Sequence, residues 1–174
     1  IDVEDWQREP QPLRVAAGVL VQAAPTAADT ALLLEQAGRH EAVRGVVIGS
    51  AKSSFMAGAD IKDMVGAYDR GITAAEASKF SYELSSLLRR LETCGKPVAA
   101  AINGVALGGG FEVALACHYR VIADEPKAGV GLPEVKIGLL PGGGGTQRVP
   151  RLVGVTEALK LITATRESLF EAVE

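Results

Sequence analysis

In the run Lys96-Pro97-Val98-Ala99-Ala100-Ala101-Ile102-Asn103-Gly104-Val105-Ala106-Leu107-Gly108-Gly109-Gly110-Phe111-Glu112, an apolar segment is closed by an Asn-Gly turn and followed by a glycine triplet. Pro97 to Ile102 reads as a buried strand ending at Asn103-Gly104. Beyond the triplet, Glu112-Val113-Ala114-Leu115-Ala116-Cys117 is a small-residue segment with no surface charge pattern, as expected of a buried helix. Strand, glycine turn and helix stand in sequence. That order aims unpaired N–H groups and a partial positive charge at whatever lies before the helix. Glycine at 108, 109 and 110 removes side chains that would hold a ligand off the backbone.

Glu112 falls in the first helical turn, and its carboxylate would repel a phosphate. Proton transfer beside an oxyanion is the better reading. Close packing of helix on sheet is the structural alternative. The phosphate-binding motifs do not match, since Phe111-Glu112 stands where a P-loop needs Lys followed by Ser or Thr, and Gly-x-Gly-x-x-Gly is not met from Gly108 to Val113.

Working outward, Gly45 to Ser50 is a continuous apolar run, typical of a parallel strand covered on both faces. The segment Ala51 to Met64 leaves its carboxyl end as a loop, at the edge where α/β folds place ligands, although spacing alone favours a plain connecting loop with Phe55 packed inward. Ala77, Phe80, Leu84, Leu87, Leu88 and Leu91 form a helical stripe between Ala74 and Leu91. Tyr119 to Ala123 reads as a further strand, before a charged turn at Asp124 to Lys127. Leu13 to Val21 reads as an early strand, and Thr26 or Asp29 as the cap of a helix through Ala37. Pro141-Gly142-Gly143-Gly144-Gly145-Thr146-Gln147-Arg148 is a second glycine turn into a helix, and another helix starts at Thr156.

A length of 174 residues suits one domain with its own core. With 48% hydrophobic and 22% charged residues, neither disorder nor a membrane protein is indicated, and no apolar run is long enough to span a bilayer. The net charge of -3, without a Lys/Arg cluster, argues against nucleic acid as main partner. Arg89-Arg90 close a helical pattern and suit a solvated or dipole-facing role. Cys94 and Cys117 support a reduced compartment, not a disulfide framework or a cysteine-based zinc site. Ile1 to Arg8 does not read as a signal peptide. No metal site is expected, and His40 and His118 read as structural, having no partnered serine or cysteine motif.

Four segments together, Ser54 to Ile61, Lys96 to Gly104, Ala106 to Glu112, and Leu132-Pro133-Glu134 through Gly145-Thr146-Gln147-Arg148, resemble the crotonase (enoyl-CoA hydratase/isomerase) superfamily. Ala116-Cys117-His118-Tyr119-Arg120 and Val130 to Glu134 are especially similar to the hydratase part of multifunctional fatty-acid β-oxidation α subunits. The resemblance implies an α/β fold, the crotonase-type ββα spiral, with a core over residues 1–154. Residues 155–174 would begin a C-terminal helical region that is truncated or incomplete, without the dehydrogenase that follows in such subunits.

The resemblance also implies roles. The backbone N–H groups of Ala59 and Gly109 would form an oxyanion hole for an acyl-CoA thioester, and Glu112 and Glu134 would be the catalytic pair that adds water to a trans-2-enoyl-CoA. Lys52, Ala57, Gly58, Asp60, Ile61, Lys62 and Gly108 form the implied substrate-binding set, with Lys52 and Lys62 either touching coenzyme A phosphates or merely solvated. Coenzyme A enters as part of the substrate, and no cofactor is expected. The competing readings are a Δ3-Δ2 enoyl-CoA isomerase working with Glu134 alone and a non-catalytic acyl-CoA-binding or assembly module. A homo-oligomer, trimer or hexamer, or a place in a multifunctional β-oxidation complex is implied, in the cytoplasm if bacterial and otherwise in mitochondria or peroxisomes.

Overall fold

The computed structural model describes residues 20–21, 41 and 43–163. The elements in chain order are β1 (Leu20–Val21), β2 (Val46–Ile48), α1 (Ile61–Asp69), α2 (Ala74–Glu92), β3 (Val98–Ile102), β4 (Val105–Leu107), α3 (Gly109–Ala116), β5 (Tyr119–Ile122), β6 (Gly129–Gly131), a 3-10 turn (Pro133–Ile137), α4 (Gly145–Val153) and α5 (Val155–Thr163). Most of the early strand expected from Leu13, the helix expected after Thr26, and His40 lie outside the described residues.

Four strands form a parallel sheet in the order β1-β2-β3-β5. Val46 pairs with Val98, and Ala99 with Tyr119. A second parallel pair, β4 and β6, is extended by a bridge between Met56 and Ala106. This is the ββα arrangement expected. The sheet's covering is not. Val46, Ile48, Val98, Ala100 and Ile102 point into the core, whereas Val47 is 37% exposed and Tyr119 and Val121 are 71% and 67% exposed. The expectation of a strand buried on both faces therefore fails for β2. Alternate residues project to opposite faces, and only one face meets the layer formed by α3, Phe55 and Leu88.

Local chemistry explains the ends of the elements. Thr73 and Glu76 form a reciprocal capping box at the start of α2, while Arg89 in its last turn pairs with Glu92 at 3.0 Å. At the end of α3 the Ala114 carbonyl accepts from the Cys117 N–H at 3.2 Å and also from Arg120, which donates to the Leu115 carbonyl as well, at 3.3 Å. His118 is structural, as expected. Its Nδ1 accepts from the Val98 N–H at 3.1 Å while its own N–H donates to the Val98 carbonyl at 2.9 Å, knitting the end of α3 to β3.

The segment Ala51 to Met64 is not loop throughout, because α1 begins at Ile61. Asp60 caps it by accepting from the Lys62 N–H at 2.8 Å. Cys94 and Cys117 are free thiols, and burial pushes Cys117 up to about 12, which leaves it inert as a nucleophile at neutral pH.

Candidate active site

The glycine triplet turns β4 into α3. Gly108 adopts φ 54° and ψ −131°, a conformation that side-chain-bearing residues rarely take, and its N–H donates to the Gly131 carbonyl of β6 at 2.9 Å. An added Cβ there would lie 3.1 Å from Glu134 Oε1, so the turn and Glu134 are immediate neighbours. Helix α3 starts at Gly109, three residues before the point read from sequence, and Glu112 occupies its first turn.

The loop before α1 comes to the same place. The Phe55 and Met56 N–H groups donate to the Val105 carbonyl, and the Leu107 N–H donates to the Met56 carbonyl at 3.0 Å. This pairing lays residues 55–58 along β4. A Cβ on Gly58 would sit 3.6 Å from the Gly109 nitrogen. Asn103 secures the start of the loop, donating from Nδ2 to the carbonyls of Ser50 at 3.1 Å and Lys52 at 2.7 Å. Neither Ala59 nor Gly109 donates its N–H within the described residues. Both donors of the implied oxyanion hole thus lie at adjoining chain segments.

Glu112 is 1% exposed, the most thoroughly buried charged side chain among the described residues. A buried carboxylate must be compensated by hydrogen bonds or charge. The compensation comes from the second glycine turn: the Gly143 N–H donates to Oε2 at 2.9 Å and the Gly145 N–H to Oε1 at 2.7 Å. Each oxygen keeps a further lone pair for another donor. No function was assigned to Gly143 or Gly145 from the sequence. The signal available was their position in a glycine run opening a helix, the same feature that drew attention to Gly108 to Gly110.

Glu134 lies in the 3-10 turn after β6 and is half-buried. Its Oε2 is buried without a hydrogen-bond partner among the described residues. Burial pushes its carboxyl above the ordinary range; a bond to its own backbone N–H works the other way, and the charge of Glu112 adds to the rise. The two carboxylates therefore feel each other while differing in environment. One is fixed by backbone donors. The other has its pKa raised, first by burial.

The remaining residues of the implied set are more open. Lys52, Ala57, Gly58, Asp60, Ile61 and Lys62 are exposed, and Gly108 is buried. The Asp60 carboxylate is engaged in capping α1, a structural task that the sequence reading did not separate from substrate contact. Among the described residues, no group of three or more His, Cys, Asp or Glu side chains is gathered to hold a metal ion.

A family profile described as "Enoyl-CoA hydratase/isomerase" matches residues 23–173. The fatty acid oxidation complex subunit alpha of Shewanella oneidensis is 47% identical over 136 residues, 78% of this chain but 19% of that protein. The chain thus spans about a fifth of the length of the curated relatives it matches. The enoyl-CoA hydratase of Bacillus anthracis is similar in structure with a TM-score of 0.71 at 34% identity, over 83% of this chain and 57% of that one. The enoyl-CoA hydratase of Thermoplasma volcanium gives 0.70 at 32% identity, over 79% and 52%.

Proposed function

Because the chain belongs to the enoyl-CoA hydratase/isomerase family, we propose that it adds water across the conjugated double bond of a trans-2-enoyl-CoA, giving a 3-hydroxyacyl-CoA. The carrying observation is the unequal carboxylate pair. Glu112 is buried with both oxygens held by backbone N–H groups, while the neighbouring Glu134 is pushed toward its protonated form.

Acid–base catalysis needs one group to accept a proton and another to donate one at the same pH, and unequal surroundings achieve this for two chemically identical side chains. In the proposed reaction Glu112 takes a proton from water as the oxygen bonds to C3. The π electrons move toward the thioester carbonyl, whose oxygen gains negative charge opposite the N–H groups of Ala59 and Gly109. Two such donors contribute several kcal/mol, on the order of 3 each, when aimed at a developing oxyanion. Glu134 then delivers its proton to C2. The proton left on Glu112 and the charge left on Glu134 are reset by exchange with solvent, and the roles reverse for dehydration.

The coenzyme A portion is read as a handle held near the exposed 57–62 segment, with Lys52 and Lys62 available to its phosphates. Kinship with fatty acid oxidation complex subunits supports a place in β-oxidation, in a multifunctional assembly and in a cytoplasmic setting.

The test follows loss of the enoyl-thioester absorbance in the full chain. Glu112→Gln keeps the size and acceptor shape of the side chain but removes its basicity, so kcat should fall about 10²–10⁴-fold with KM little changed. Glu134→Gln should lower hydration similarly and also abolish conversion of 3-enoyl to 2-enoyl thioesters. Hydration indifferent to Glu112→Gln would favour the isomerase, and thioester binding without any turnover would leave only a binding module.

A further inference from the structure

We infer that Arg148 and Glu92 are a positioning pair for the Glu112 carboxylate, acting through the second glycine turn. The inference rests on the hydratase reading, which makes Glu112 the base. Arg148 lies in the first turn of α4, and its guanidinium reaches back over the glycines that precede the helix. Its Nη1 donates to the Gly143 carbonyl at 2.7 Å and its Nε to Glu92 Oε1 at 2.6 Å. Gly143 is also the residue whose N–H holds Glu112 Oε2. One residue therefore receives the guanidinium on its carbonyl and the carboxylate on its N–H.

A turn of consecutive glycines has the widest conformational freedom in the chain, and side chains cannot fix it. Polar ties must do so. The Arg148 side chain is only 14% exposed and that of Glu92 24%, so the pair is sheltered from the screening that weakens surface ion pairs. A planar guanidinium meets two acceptors at a fixed angle, which sets orientation as well as distance. Glu92 is the last residue of α2, and Leu88, one turn earlier, packs so closely that a Cβ on Gly143 would lie 3.0 Å from its Cδ1. The end of α2 thus supports the glycine turn by an apolar contact and a charged one. Arg89, paired with the other Glu92 oxygen at 3.0 Å, fixes that carboxylate in turn. Loosening the peptide at Gly143 leaves Glu112 present but misdirected, and a base misplaced by about 1 Å can cost on the order of 10²-fold in rate.

A plain stabilising tie between α2 and α4 would not act through Glu112, and a double-mutant cycle separates the two. In the full chain, Arg148→Leu should lower hydration kcat about 10–100-fold with KM within about threefold, and in the Glu112→Gln background it should cause no further loss. Glu92→Leu should behave as Arg148→Leu does, and Glu92→Gln, which keeps an acceptor for Nε, should restore most of the activity. Amide hydrogen exchange, read by NMR in the same variants, should accelerate at Gly143 and Gly145 while β3 amides keep their protection. Equal losses in both backgrounds, or unchanged exchange at Gly143 and Gly145, would overturn the positioning role. Should the parent fail to hydrate, the hydratase reading falls, and the exchange at those two amides still decides whether the pair holds the turn. If Arg148→Leu does not fold, Glu92→Leu and Arg148→Lys carry the same comparison.

Discussion

Gly110 shows how tightly single residues set the site. A Cβ there would lie 2.2 Å from the Met56 carbonyl oxygen, a backbone atom with no rotamer to relieve the clash. Gly110→Ala should push the 55–58 segment away from α3, costing about 1–3 kcal/mol in urea unfolding and lowering hydration with it. Glu134 carries the opposite balance. Its folded pKa is raised, chiefly by burial, so whatever stability it contributes is present below the unfolded value and lost as pH rises through the folded one. At neutral pH its ionised form works against folding. Glu134→Gln should therefore raise stability modestly at pH 7 while removing activity, and the gain should vanish below about pH 4. Thermal melts across that range would check it, and an unchanged difference at all pH values would show that burial of the charge is not the cause.

Elements differ in how plainly the sequence announced them. Helix α2 was legible over nearly its whole length because its apolar residues recur at helical spacing, but the stripe read as core packing is buried only at Leu87, Leu88 and Leu91, with Ala77 and Phe80 exposed. The strand at Pro97 to Ile102 was equally plain. Helix α1 went unread although Ile61, Met64, Val65 and Tyr68 recur at helical spacing, because this 9-residue run follows directly on a serine- and glycine-containing loop and its apolar face buries none of its residues. The Asp60 cap was a second local signal. The candidate site was half legible. Glu112 and Glu134 are side chains that can be read from a motif, but the groups holding Glu112 are backbone N–H donors, the same in every residue. They lie 31 and 33 positions away in the chain. The link from α2 to α4 is another element-scale feature with a test. The Arg148 hydrogen bond, with Arg89 adding, holds Glu92 below the ordinary carboxylate range against the effect of burial. A depressed carboxylate contributes stability present above its unfolded value and lost as pH falls through its folded value. The parent should thus exceed Glu92→Leu by about 1–2 kcal/mol at pH 7, with the difference shrinking as pH drops below about 4.5.

At the scale of the molecule, stability should be uneven. Strand β3 lies inside the parallel sheet, between β2 and β5, with Val98, Ala100 and Ile102 buried, whereas α1 stands on the surface directly after the exposed 57–60 segment. Hydrogen exchange should find β3 slowest and α1 among the fastest of the described helices, with α1 slowed when an acyl-CoA is bound. Equal protection of the two would contradict this division.

The pairing of Glu112 with Gly145, 33 residues downstream, also has a temporal side. During synthesis the carboxylate leaves the ribosome before the amides that will neutralise it, and at about 5–20 residues per second the gap is roughly 2–7 s. For that interval α3 carries a charge at a position meant for the interior, with no partner yet made. Docking α3 against the sheet before the second glycine turn arrives would bury that carboxylate without its two backbone donors, a cost that favours late packing of the helix.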